Sequence, residues 1–98
     1  MRFSIVIPTF NNLDYLKLCI KSIKKNSKFD HEIIIHNNGK EELPSNFIEE
    51  NKITYSKTDY NAGICEGVNL GANKSTTDYI VYAHDDFYFL PGWDVVFK

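Results

Sequence analysis

The sequence predicts an α/β fold, an open and mostly parallel sheet with flanking helices. Three observations carry this reading. Residues 3–7 and 33–35 are short β-branched or continuous apolar runs, each closed by turn-forming residues. Between them Leu13, Leu16, Ile20 and Ile23 recur at helical spacing, which makes a strand, helix, strand unit. The alternation returns later, where Ile64, Val68 and Ala72 precede an aromatic-rich run over residues 78–83. Strands that alternate with helices build parallel sheets, because each helix is the crossover that parallel pairing needs.

Each element has its own signal. The first strand closes at Pro8, which has no N–H to donate to a ladder. Asn11 or Asn12 then caps a helix with Asp14 in its first turn and Lys21, Lys24, Lys25 and Lys28 toward its end, the charge order that suits the helix dipole. Ile33, Ile34 and Ile35 form a strand buried on both faces, closed by Asn37, Asn38 and Gly39. Residues 41–51 are polar and contain Pro44, so a loop is expected, with at most a short helix over residues 46–50 before a brief strand over 53–56. Asn61 caps a further helix that carries Ile64, Val68 and Ala72 on one side, with Gly67 and Gly71 one turn apart. A glycine inside a helix costs roughly 1 kcal/mol against alanine, so close packing on the sheet or a ligand is the expected compensation.

The composition bounds the function. A chain of 98 residues and 11.4 kDa fits one domain over residues 1–98. Apolar residues are 43% and charged residues 24%, the balance of a globular protein. Eleven Lys and Arg against 13 Asp and Glu give a net charge of −2, with no broad footprint for nucleic acid or anionic lipid. No apolar stretch is long enough for a signal peptide core or a membrane span, so a cytoplasmic protein is expected. Cys19 and Cys65 form no CxxC pair, which argues against a disulfide framework or zinc site; both are expected as buried structural cysteines. The phosphate-loop pattern GxxxxGK and the dinucleotide pattern GxGxxG are both missing.

In an open parallel sheet, ligands bind beyond the carboxyl ends of the strands. Four polar clusters fall there: Pro8, Thr9, Phe10 and Asn11; Asn37, Asn38 and Gly39; Tyr60, Asn61 and Gly63; and His84, Asp85 and Asp86. Adjacent carboxylates repel unless a cation neutralises them, and hard oxygen donors suit Mg²⁺ or Mn²⁺. A solvated turn is the plainer role for such a pair, and His84 is either a third ligand or an orienting neighbour. Asn37 and Asn38 carry donors and acceptors suited to a nucleobase edge, or serve simple turn chemistry. Asn61 and Gly63 open a helix whose free N–H groups can take an anion, a plain cap being the commoner role. The clusters contain no Lys or Arg, which leaves a divalent ion as the source of positive charge. His31 is expected at the surface and His36 as a structural histidine beside a turn, the alternative being a ring that reaches ligand from the strand end. Trp93 is expected to cover a core edge, or to offer a shelf for a sugar ring.

Taken in order, these clusters resemble the nucleotide-binding half of the family-2 glycosyltransferases, which have the Rossmann-like GT-A fold. Ser4-Ile5-Val6-Ile7-Pro8-Thr9-Phe10-Asn11-Asn12 is similar to that family's opening strand and turn, and Glu32-Ile33-Ile34-Ile35-His36-Asn37-Asn38-Gly39 to its second strand and base-reading turn. Asn61-Ala62-Gly63 and Val68-Asn69-Leu70-Gly71 resemble its N-x-G helix start and continuation. His84-Asp85-Asp86 stands where the family has its DXD motif, and Pro91-Gly92-Trp93 resembles the turn that follows.

The resemblance implies a donor site for a nucleotide diphosphate sugar, UDP-sugar by preference, with Mn²⁺ or Mg²⁺. It implies transfer of the sugar to a hydroxyl of a glycan or other acceptor. Pro8, Thr9, Asn11, Asn37, Asn38, Asn61, Gly63, Asn69 and Asp85 are the implied donor contacts, and Asp86 the direct metal ligand with Asp85 as helper. Two departures stand out: Asn37 replaces an aspartate that accepts from the base, and His84 replaces the first DXD aspartate. Family members continue into an acceptor half with a catalytic base, which this sequence does not supply; Asp94 is the one carboxylate beyond the motif. The expectation is a truncated GT-A domain, the alternative being a binding or assembly module without transfer. Residues 87–98 are strongly apolar, which predicts a homo-oligomer with this segment against a neighbour, or a fold-back over its own sheet.

Overall fold

The computed structural model describes residues 3–96. Its elements in order are β1 (Ser4–Thr9), α1 (Leu13–Asn26), β2 (Glu32–Asn37), α2 (Ser45–Glu50), β3 (Thr54–Lys57), α3 (Gly63–Ala72) and β4 (Ile80–Tyr82), followed by a 3₁₀ turn at Trp93–Val96. The strands form one parallel sheet in the order β3-β2-β1-β4. The order reverses direction at β1, so the carboxyl end of β1 is the place where loops diverge to either side.

Two differences from the sequence reading bear on the sheet around β1. β1 continues through Pro8 to Thr9, with Pro8 opposite His36. The missing N–H does no harm, because residues 4 and 6 bond toward β4 and residues 3 and 9 toward β2. Position 8 therefore faces the β4 side, beyond the last registered pair, Val6 with Tyr82. β4 is shorter than the expected run over 78–83 and is an edge strand, which leaves Ile80 48% and Tyr82 38% exposed.

One face of the sheet carries the main core. Ile5, Ile7, Ile33 and Ile35 pack against Leu16, Cys19, Ile20 and Ile23 of α1 and Phe47 of α2. The other face is covered by α3 in a different way. The expected apolar side of α3 is not the packed one: Ile64 is 52% exposed, and the buried residues are Gly67 and Gly71. A Cβ on Gly71 would stand 2.9 Å from Val6 Cγ1, and one on Gly67 would stand 3.3 Å from His36 Cδ2 and 3.4 Å from Pro8 Cβ. The helix lies close to the sheet because these residues have no side chain, which is the compensation the paired glycines required.

The segment after β4 folds back on the carboxyl end of α1. Asn26 Nδ2 donates to the Phe89 carbonyl at 2.7 Å, Phe89 N–H to Ser22 Oγ at 2.9 Å, and Trp93 Nε1 to Ser27 Oγ at 2.8 Å. Trp93 packs against Phe89, His31 and Phe3, the core-edge role. Phe87, Tyr88, Leu90 and Val95 stay exposed, and Phe97 and the Val96 side chain of the expected apolar segment lie outside the described residues.

His31 is a correction. Its side chain is fully buried, not superficial, and bonds Asp94 at 2.8 Å. Its Nδ1 accepts the N–H of Phe3, so Nε2 carries the proton that goes to Asp94. Asp94 also accepts the N–H groups of Lys28 and Phe29. Burial pushes its carboxyl up, but these donors outweigh burial and hold its pKa at about 2. Cys65 is a second correction: it is exposed on α3, while Cys19 is buried with its thiol pushed up to about 12 by burial and by Asp85 and Asp86. No helix among the described residues is long and apolar enough to cross a membrane.

Candidate donor-binding site

The parallel register brings the carboxyl ends of β1, β2 and β4 and the start of α3 to one edge of the sheet. There a cavity of about 680 Å³ is lined in part by Phe10, Asn11, Gly39, Lys40 and Tyr60. A second cavity of about 300 Å³ is lined in part by Pro8, Thr9, Gly63, His84 and Asp85. Phe10, Asn38 and Asn61 line both, so the two adjoin.

Asp85 is fixed by the end of β1. Thr9 Oγ1 donates to Asp85 Oδ2 at 2.8 Å and Asn12 Nδ2 to Oδ1 at 3.1 Å. Asn12 occupies the N-cap position of α1 but makes no side-chain cap bond; its amide nitrogen donates to Asp85. Asn11 adopts φ of 50°, a left-handed conformation that asparagine tolerates better than most residues. Asp86 is exposed, and its side chain bonds no other described residue. His84 stands between the Tyr82 and Phe87 rings, with centroids at 5.0 and 5.1 Å, and the Tyr82 hydroxyl is 3.0 Å from its Nε2.

Asn37 at the end of β2 and Asn38 just beyond it are buried. Asn38 ties β2 to the start of α3: its Oδ1 accepts the N–H of Ala62 at 3.2 Å and its Nδ2 lies 3.4 Å from the Gly63 carbonyl. Asn61 is not the helix cap. Ala62 holds that position, and Asn61 Oδ1 accepts the N–H of Gly63 at 2.9 Å in an Asx turn, with Gly63 at φ of 79°. His36 is buried beneath Gly67 and turned from the cavities. Thr58 gives its hydroxyl proton to the Tyr60 carbonyl, so His36 Nε2 donates to Thr58 and Nδ1 accepts from Ser56. Burial lowers its pKa, which suits a neutral structural ring.

Asn69 is not brought to the site. It is exposed on α3, about 9 Å along the helix from Gly63 at 1.5 Å per residue, and lines neither cavity. Lys40 is the residue the sequence reading missed. It lines the larger cavity, a cation beside the carboxylates of Asp14, Glu41 and Asp59. Its signal was position alone, directly after Gly39. Among the described residues no group of three His, Cys, Asp or Glu is arranged to hold a metal ion, so His84 is not gathered with the two aspartates as a third ligand.

Comparison with known proteins decides the family. The family profile described as Glycosyl transferase family 2 matches residues 4–95. The chain belongs to glycosyltransferase family 2. The uncharacterized glycosyltransferase YwdF of Bacillus subtilis (strain 168) is 32% identical to this family member over 94 residues, which are 94% of this chain and 35% of YwdF. Among solved structures, S. aureus TarS 1–349 superposes with a TM-score of 0.83 at 17% identity, over 98% of this chain and 31% of that one. TarS 1–349 in complex with UDP gives a TM-score of 0.80. The mannosyltransferase PcManGT from Pyrobaculum calidifontis, in complex with GDP-Man and Mn²⁺, gives 0.79 at 13% identity, over 97% and 30% of the two chains. The sheet is thus that of the GT-A family-2 enzymes, and the chain spans about a third of the length of these relatives.

Proposed function

We propose that the chain forms the donor-binding part of a glycosyltransferase that takes a nucleotide diphosphate sugar, UDP-sugar by preference, and passes the sugar to an acceptor hydroxyl. The observation that carries this is the meeting of the ends of β1, β2 and β4 with the start of α3 around two adjoining cavities. The larger one, with the Phe10 and Tyr60 rings and the Lys40 ammonium, suits a nucleoside; the smaller one, beside Asp85, suits the diphosphate and sugar. TarS and PcManGT, solved with UDP and with GDP-Man and Mn²⁺, support the ligand class.

The donor set fits a hard divalent ion. Asp86 has both carboxylate oxygens open, and each Asp85 oxygen keeps a lone pair beyond its single hydrogen bond. Asp86 would hold Mn²⁺ or Mg²⁺ directly with Asp85 in support, and the ion would supply charge that offsets the diphosphate. Thr9 and Asn12 hold Asp85 in place, and Lys40 adds a cation at the larger cavity. Asp94, the carboxylate beyond the motif, is buried at the far end of the sheet and bonded to His31, so the catalytic base is not assigned to it. The two free thiols accord with a cytoplasmic setting. Exposed Phe87, Tyr88 and Leu90 accord with self-association, and a mass that stays monomeric by light scattering at every concentration would remove that part of the reading.

Calorimetric titration with UDP, with and without Mn²⁺, tests the site. The ion should strengthen binding, and Asp86→Ala should abolish the gain. Equal affinity of wild type and variant at saturating Mn²⁺ would take Asp86 out of the site.

A further inference from the structure

α1 carries a second stripe beside its apolar one. Asn12, Cys19, Ser22 and Asn26 stand at i, i+7, i+10 and i+14, a spacing that sets them on one flank of the helix. All four bond the chain between His84 and Phe89. Asp85 and Asp86 are the two central residues of a turn there, closed by the Phe87 N–H on the His84 carbonyl at 3.2 Å. The Cys19 thiol donates to the same carbonyl across 3.8 Å. Beyond the turn the chain is gripped again at Phe89, whose N–H donates to Ser22 Oγ at 2.9 Å and whose carbonyl accepts from Asn26 Nδ2 at 2.7 Å. Ser22 is 1% exposed, and its own proton goes to the Cys19 carbonyl at 2.7 Å, so the bond to Phe89 is one it can only accept. The Asn26 carbonyl takes the Gly92 N–H at 3.1 Å. The Asp86 side chain bonds no described residue, so its place is set through the backbone, by Asp85 on one side and by Phe89 on the other.

We propose that Ser22 and Asn26 are positioning residues for Asp86. They line neither cavity, yet by holding Phe89 against α1 they keep the Asp85–Asp86 turn closed, with both carboxylates available to one divalent ion. A carboxylate on a free segment loses backbone freedom when it takes an ion, whereas one clamped on both sides has lost it on folding. The inference rests on the reading of Asp86 as metal ligand and deepens it: the capacity of an exposed turn to take an ion is set by a serine and an asparagine in the middle and at the end of α1.

Calorimetric titration of the intact protein with UDP, with and without Mn²⁺, tests it, the quantity read being the ratio of the two affinities. Ser22→Ala should lower that ratio several-fold, up to about tenfold, while metal-free UDP affinity stays within about twofold of wild type. Ser22→Thr, which keeps the hydroxyl, should restore the ratio. Should Ser22→Ala fail to fold, Asn26→Leu, which keeps the bulk and removes the donor to the Phe89 carbonyl, should lower the ratio in the same direction. A ratio equal to that of wild type in a folded variant, whatever its melting point, would reduce the stripe to packing and overturn the assignment. No gain from Mn²⁺ in wild type would instead overturn the metal reading of Asp86, and no UDP binding at all the donor-site reading, each taking this inference with it.

Discussion

An aspartate and a histidine meet aromatic rings at both ends of the sheet, and the two groups are opposites. At the amino ends of the strands, the side chains of Asp94 and His31 are fully buried, and the Asp94 oxygens accept from His31 and from the N–H groups of Lys28 and Phe29. At the carboxyl ends, Asp85 is held by two hydrogen bonds and Asp86 by none among the described residues, beside a His84 ring in open contact with Tyr82 and Phe87. A carboxylate whose lone pairs are spent inside the protein stabilises the fold; one with lone pairs to spare can take a ligand. Residue type alone does not separate the two, whereas satisfaction does.

Substitution of the three aspartates should therefore grade smoothly from fold to function. Asp94→Ala leaves the N–H groups of Lys28 and Phe29 and the ring N–H of His31 without this acceptor and should cost on the order of 3 kcal/mol, measured by urea unfolding. The same group gives a pH signature. Its folded pKa of about 2 lies below the ordinary 3.8, so its stabilisation is complete above pH 4 and is lost as pH falls toward 2. Acid unfolding of wild type should show a slope in that window which Asp94→Asn lacks; matching slopes would mean the buried carboxylate does not titrate with unfolding. Asp85→Ala, which strands the buried Thr9 hydroxyl, should cost about 1 kcal/mol by thermal melting. Asp86→Ala should change stability by less than about 0.5 kcal/mol while it removes the metal-dependent gain in UDP binding. A melting point for Asp86→Ala as low as that of Asp94→Ala would erase the contrast between the two ends.

The main layer of the fold was legible because its signals are local. The apolar stripe of α1 and the isoleucine run of β2 each state their burial within a few residues, and both pack as read. α3 was misread because its packing is set by what it lacks. Ile64 looks like a core residue in sequence, yet the contact surface is made by Gly67 and Gly71, whose closeness to Val6 and His36 only the fold reveals. The same holds at the site. Strand-end position sufficed to place Thr9, Asn38, Asn61 and Asp85 around the cavities, but how Asn37 is occupied depends on Tyr55 and Glu42, from another strand and a loop. His31 and Asp94 were out of reach because they are distant in the chain and neither sits in a motif.

The position of β1 in the sheet bears on how the chain is made. Ser4 lies opposite Glu32 on one side and Ile80 on the other, so β1 waits for β4 before both its edges are paired. While a ribosome is still adding residues 38–79, β1 can pair with β2 and collect α1, but its second hydrogen-bonding edge stays open beside Val6. Pairing across so much of the sequence is slow, and an unpaired edge on an apolar strand is the usual starting point for misassembly. The nascent chain is thus most vulnerable just before residues 80–82 emerge, when the strand that will be central to the sheet still lies at its border.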